Sequence, residues 1–386
     1  MRWKWLALMA TVAPLAMAAP PAGWTADPFV IGLNTTLSGP GAPYGLHYKM
    51  GAELARDEIN AAGGINGSPL ELVIDDNKLS PTEAVTIAKK TLPRADATIV
   101  GMSGSAFLAV MPVAAELKVP MVAAALGTIA LTEAKNPWVF RLSGNDRVAG
   151  RCAADYMVDQ LKKRKVAIIH DSNDYGVGGM SSIRARLKHH GLEPVAVESY
   201  NTGELDFSPH ALRIKSSGAD GVIIWAYQKE AALILKKMHQ VGYPGQLMLG
   251  TAVDTEAFAE LAGADAHNVP YSIYIHFGDP KDQRMQAFIK KFQERFKTPP
   301  DLYSMGTYDS VVLLAQAFRK AGHDHGKIRD ALRTMKFDGV AGHVEFDERG
   351  DSIRNSYVMK WMHDKNTKKS HREHLYTFTV EQLRAN

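Results

Sequence analysis

The stretch "DATIVGMSGSAFLAV", residues 96–110, decides how the chain is read. A short apolar run, Ala97 to Val100, meets a turn of glycine and serine, and a helix-forming apolar run follows. Strand, tight turn and helix make the unit of a parallel αβ sheet, and the chain repeats that unit on both sides. "FVIGL" (29–33) precedes the helical pattern "YGLHYKMGAELARDEINAAGG", "LELVID" (70–75) precedes "SPTEAVTIAKKTL", and "VPMVAA" (119–124) comes after the opening stretch. Then come "KVAIIHD" (165–171) with "YGVGGMSSIRARLKHHG", and "EPVAVESY" with "DFSPHALRIKSSG". "ADGVIIWAY" (219–227) leads into "QKEAALILKKMHQVG", and "GQLMLG" (245–250) into "TEAFAELAG". This alternation predicts an α/β fold with mainly parallel sheets covered by helices on both faces.

Local punctuation agrees. Ser80-Pro81 reads as a helix N-cap followed by the first helical residue, with Glu83 placed for a capping box. "AAGG" (61–64) and "HHG" (189–191) read as glycine stops. Polar and glycine residues interrupt the alternation at "FRLSGNDRVAG" (140–150) and again at "YSIYIHFGDP" (271–280), which predicts two seams between domains. Beyond them "SMGTYDSVVLLAQAFRKAG" predicts a helix, and "GHVEFDERGDSIRNSYVMKW" a hairpin turning at "DERGD".

The opening "MRWKWLALMATVAPLAMAAPPAGW" has a basic start, an apolar run from residue 5 to 15 and the small-x-small site Ala16-Met17-Ala18. That is the pattern of a secretory signal spanning 1–18. As a membrane anchor the run is short of the ~20 residues a span needs, and Pro14 breaks it. No cysteine follows to carry a lipid, so the expectation is a soluble protein, periplasmic in a Gram-negative cell. The remaining chain is too long for one core, so two domains are expected. Of the formal charge of +4, Arg2 and Lys4 belong to the signal. The basic runs "KKRK" (162–165), "KHH" (188–190) and "KK" (236–237) each follow a helical stretch, where cations complement the helix dipole. Nothing resembles an aromatic-interleaved basic face, which argues against nucleic acid as a partner. The single cysteine, Cys152, lies at helical spacing in "RVAGRCAADYMVDQL" and reads as a buried, inert thiol. "HDKNTKKSHREH" (363–374) reads as a solvated charged segment rather than a metal site through His371 and His374.

Two chemistries compete for Ser103 and Ser105. A nucleophile elbow needs G-x-S-x-G, and Gly101-Met102-Ser103-Gly104-Ser105 lacks the last glycine. The pair "HD" at 170–171 is not tied to it by spacing. A cradle for an anion asks for less: unpaired N–H groups at a helix N-terminus and a serine hydroxyl. The next strand ends in "AAALGT" (123–128), a second small-residue turn beside the first, so Thr128 and the backbone near Leu126 join the candidates. "NTTLSGPGAPYG" and "YGVGG" both lack the dinucleotide fingerprint, and no phosphate loop, zinc spacing or EF-hand is present, so no cofactor is expected. Tyr44, Tyr175 and Tyr227 recur at the carboxyl ends of proposed strands, where open αβ sheets bind ligands. Together they suggest the wall of an apolar pocket.

The chain resembles the periplasmic branched-chain amino-acid (leucine/isoleucine/valine) binding proteins, substrate receptors of ABC transporters. The likeness rests on "IGLNTTLSGPGAPYGLHYKMGAELARDEINAAGGINGSPLELVIDDN", on "YGVGGM" after "IIHD", and on "GHVEFDERGD". It implies a type I periplasmic binding fold: two Rossmann-like lobes, 27–145 plus 274–348 and 146–273 plus 349–386, joined by hinge strands. It further implies a protein without catalysis that closes over a small carboxylate ligand and meets a membrane permease transiently, as a monomer. By the same resemblance Ser105 and Thr128 hold the ligand's carboxylate and ammonium with backbone help near Leu126. Tyr44, Tyr175 and Tyr227 surround the cleft, and Tyr303 lines the side-chain pocket. The chain departs from the family where an acidic residue usually follows the strand matching "GQLMLG". Here stand Thr251, Ala252 and Val253, and the nearest carboxylate is Asp254. Either Asp254 swings in to meet an amino acid's ammonium, or the ligand is an aromatic or other small acid without one. A ligand-sensing receptor domain of the same fold is the remaining alternative.

Overall fold

A computed structural model describes residues 27–275, 279 and 281–384. The proposed signal at 1–18 lies outside the described residues. Strands β1 (Phe29–Thr35), β2 (Leu70–Asp76), β3 (Ala97–Val100), β4 (Met121–Ala123) and β5 (Val139–Arg141) form a five-stranded parallel sheet in the order β2-β1-β3-β4-β5. Helices α1 (Ala42–Ala61), α2 (Pro81–Thr91), α3 (Gly104–Leu117) and the short α4 (Ala130–Glu133) connect them. The opening stretch is strand, turn and helix, although the helix begins one residue before Ser105, with Ser103 as its cap.

The chain then builds a second sheet. It runs through α5 (Asp146–Asp155), β6 (Val166–Asp171), α6 (Asp174–His189), β7 (Ala196–Tyr200), α7 (Ser208–Ser216) and β8 (Gly221–Trp225). α8 (Gln228–Gln240), β9 (Gln246–Leu249), α9 (Glu256–Ala262) and β10 (Val269–Ile273) follow. α10 (Gln283–Phe296), α11 (Leu302–Ala321) and α12 (His325–Thr334) return to the first lobe, where Tyr308 of α11 donates to Glu58 of α1 at 2.7 Å. β11 (Phe337–Gly339), β12 (Gly342–Phe346) and β13 (Ser352–Ile353) make a small antiparallel sheet. β14 (Ser356–His363) and β15 (Ser370–Phe378) complete the second sheet, in the order β15-β14-β10-β9-β8-β6-β7, and α13 (Val380–Arg384) ends the description. Only the β10/β14 and β14/β15 pairings in that sheet are antiparallel.

Burial follows strand position. Every residue of β6 and β8 is buried, because parallel strands in a sheet centre carry helices on both faces. Edge strand β7 alternates instead. The hairpin at 342–353 forms, but it is short, and the residues after it leave for β14 in the other lobe. The charged segment 363–374 is solvent-exposed or half-exposed, with His371 and His374 both exposed, but from Ser370 onward it is also a strand that pairs with β14. The chain crosses between lobes three times, after β5, after β10 and between β13 and β14, the last a few residues beyond position 348. Arg141 and Asp351 pair at 2.7 Å beside two of these crossings. Cys152 is buried in α5, and burial pushes its thiol up to about 12.

Candidate functional site

Both sheets aim the carboxyl ends of their strands at a chamber between the lobes. From the first lobe it is lined by Met102, Gly104, the turn 125–128, Leu302 and Tyr303, and from the second by Tyr175, Tyr227, Thr251 and Ala252. Tyr274, at a crossing, completes it. The enclosed space is about 30 Å³, room for about two waters.

The first-lobe wall is built to present donors. Met102 takes φ 71°, a left-handed conformation rare outside glycine, and this turns the chain sharply from β3 into α3. Ser103 caps that helix by accepting from Ala106 N at 3.1 Å. Thr128 packs its hydroxyl against Gly104, where a Cβ would stand 2.2 Å from Thr128 Oγ1, so the turn touches the helix start. Arg141, fully buried, draws the turn's carbonyls backwards: its Nη1 donates to Gly127 O at 2.6 Å and to Thr128 O at 2.9 Å. Ser143 donates to Leu126 O at 3.2 Å. No N–H of Leu126, Gly127 or Thr128 bonds to a described residue. With the amides of the α3 N-terminus, this is an oriented set of donors for an anion.

Aromatic rings form the rest. Tyr175 and Tyr227 stack at 5.1 Å between centroids with a 14° interplanar angle. Tyr303 meets Tyr44 edge-on at 4.9 Å. Burial pushes all four phenols above their ordinary range, so they act as neutral rings with hydroxyl handles. The Tyr175 hydroxyl lies 3.3 Å from Thr251 Oγ1 and accepts from Ala252 N at 3.3 Å.

Behind the wall sits Asp146, the first residue of α5 and wholly buried. Tyr274 donates to its Oδ1, and the Thr251 hydroxyl lies beside the carboxyl. Burial pushes the carboxyl up from 3.8 to about 6, against the lowering pull of Tyr274, Arg141 and Thr251.

The residues singled out in the sequence divide into three groups. Leu126, Thr128, Tyr175, Tyr227 and Tyr303 line the chamber. Tyr44, Ser103 and Ser105 stand at its edge. Tyr44 accepts from Gln228 N of the opposite lobe at 2.9 Å and lines a neighbouring groove. Ser103 spends its oxygen as a cap, and no histidine among the described residues bonds to it. Ser105 reaches across to Asp174 at 2.5 Å. Asp254 is the correction. It is buried against Arg372 and accepts from the Tyr271 hydroxyl at 2.9 Å, while Arg372 also pairs Glu256 at 2.8 Å. Turning it toward the chamber would leave a buried guanidinium short of its partner, at about 3–5 kcal/mol. Asp146 and Tyr274 were missed. Both stand in the two seams flagged by composition, and an acidic residue opening a helix beside a small-residue turn was the available signal.

Two αβ lobes, a small chamber at their strand ends and three crossings define a binding protein of the two-lobed periplasmic type. A family description, "Periplasmic binding protein", matches residues 28–368, and the chain belongs to that family. An "Amino acid binding protein" of Pseudomonas aeruginosa is 32% identical over 342 residues, covering 87% of this chain and 90% of the relative. The branched-chain amino acid transporter substrate-binding protein LivJ of Streptococcus pneumoniae, solved with isoleucine, is 28% identical with a TM-score of 0.81, covering 90% of this chain and 99% of that one. A solute-binding protein from Rhodopseudomonas palustris, solved with 3,4-dihydroxybenzoic acid, shares the fold at 20% identity and a TM-score of 0.83, covering 92% and 98%.

Proposed function

We propose that the protein is the periplasmic substrate-binding component of an ABC uptake transporter, that it captures a small carboxylate ligand between its lobes, and that it works without catalysis. One observation carries the reading: the donor-lined turn at 125–128 and the start of α3 face stacked tyrosines across an enclosed interlobe chamber. The chamber is too small to admit a ligand while the lobes meet, so capture requires opening at the three crossings. Ligand contacts to both lobes then favour closure, and the closed form is what a membrane permease would read. A single chain suffices, since both walls come from it. Elbow chemistry gains no support, because Ser103 caps its helix and the His170 Nδ1 faces the Asp171 carbonyl at 2.7 Å.

The relatives bind both amino acids and an aromatic acid, so the fold alone does not choose between them. The test is a thermal-shift panel on protein unfolded and refolded to strip carried ligand. It sets leucine, isoleucine, valine and phenylalanine beside benzoate, hydroxybenzoates and short aliphatic acids. A ligand at ~1,000 times its Kd adds about 4 kcal/mol, which raises the melting temperature by several degrees. At least one carboxylate is expected to do so. A panel in which none shifts the melting temperature, while uncharged solutes do, refutes the reading.

A further inference from the structure

Two of the three crossings meet at one side chain. Asp351 stands just before β13, ahead of the third crossing, and its Oδ1 pairs at 2.7 Å with Nε of Arg141, the last residue of β5 before the first crossing. Arg141 is fully buried and Asp351 only 14% exposed, so solvent screens the pair little. Asp351 Oδ2 accepts from Thr132 Oγ1 at 2.8 Å and from Asn145 Nδ2 at 3.2 Å. Asn145 is the N-cap of α5 and accepts from Val148 N at 3.2 Å, so its oxygen serves the second lobe and its nitrogen the first. Arg141 carries the connection on to the chamber, because it donates to Gly127 O and Thr128 O of the donor turn and to Thr132 Oγ1 at 2.7 Å. Ser352 adds a tie between the crossings by donating to Ser143 O at 2.6 Å.

We propose that Asp351 is a positioning residue for capture: through Arg141 it holds the turn at 125–128, and through Asn145 it holds the start of α5, so that the chamber wall and the second lobe respond as one unit. This rests on the carboxylate-capture reading above and names the side chain by which occupancy of the turn reaches the crossings. An anion on the N–H side of the turn polarises the peptide groups whose carbonyls Arg141 holds. Asp351 balances the guanidinium and passes the change to the cap of α5. Gly127 O also accepts from Asp146 N at 2.7 Å, a second route between the turn and α5 that bypasses Asp351. Contiguity alone does not demonstrate coupling, so the two routes have to be separated by a double-mutant cycle.

The test is hydrogen exchange read by mass spectrometry on the protein refolded without ligand. Asn145→Ser keeps an oxygen to cap α5 but is too short to reach Asp351. It is expected to speed exchange in peptides covering the turn (121–131) by about 3-fold or more, with the start of α5 and β8 unchanged. In an Asp351→Asn background, where the amide cannot pair Arg141, the same substitution should add nothing at the turn. Asp351→Glu keeps the charge and should restore part of the response. No change at the turn in Asn145→Ser overturns the assignment, and this arm decides even if Asp351→Asn does not fold. An undiminished effect of Asn145→Ser in Asp351→Asn overturns it in favour of the Asp146 route, and equal acceleration in β8 overturns it as a global loss of stability. No ligand enters the experiment, so its failure leaves carboxylate capture standing, and a failed ligand panel leaves the coupling measurable.

Discussion

Replacing Asp146 by asparagine should stabilise the ligand-free protein, and by an amount that depends on pH. Burial raises the carboxyl from 3.8 to about 6, so between those values the folded state holds a proton that the unfolded chain has released. Stability of the wild type therefore falls as pH rises through that window, and the loss is complete above about pH 6. Each pKa unit is worth about 1.4 kcal/mol, which puts the ceiling near 3 kcal/mol. Below about pH 4 the carboxyl is protonated in both states and the substitution should be close to neutral. Asp309, also buried and pushed up to about 6, is common to both proteins and cancels in the difference. The assay is urea unfolding of wild type and Asp146→Asn at pH 4, 5, 6 and 8 without ligand. The gain should appear between pH 4 and 6 and stay level beyond. A difference that is flat with pH would show that Asp146 titrates normally, and the argument that the site holds an uncompensated carboxylate would fail.

Arg141→Met should destabilise the fold by about 3–5 kcal/mol, because Asp351 loses its buried partner and the turn carbonyls lose their donors; thermal denaturation without ligand reads this directly. Ser105→Ala should weaken carboxylate binding by about 1–3 kcal/mol, whereas Asp174→Asn should strengthen it by removing an anion that holds the same hydroxyl. Calorimetry with one bound acid separates the two, and equal effects of the same sign would contradict the assignment of Ser105. Cys152 should not react with an aromatic disulfide reagent in the folded protein at pH 8 and should react fully in urea, since its buried thiol is pushed up to about 12.

The alternation of apolar runs and amphipathic helices was legible because parallel strands such as β6 and β8 are buried on both faces and write continuous apolar words. Strand β10 and the edge strand β15 were harder. The first lies inside a seam, and the second is half-exposed and carries the charges of 370–374, so neither shows a clean pattern. The same contrast runs through the site. Turn residues and tyrosines announce themselves by type and by position after a strand. Asp146 does not, because its meaning depends on where Arg141 spends its donors, and that follows from a bridge to Asp351 more than two hundred residues away. Asp254 shows the reverse error. Its place in sequence suited an ammonium, but β15 brings Arg372 onto it, and a carboxylate so paired has no charge to offer a ligand. Spacing along the chain locates the rim of such a chamber. Which of its acids are already paired is a property of the three-dimensional fold.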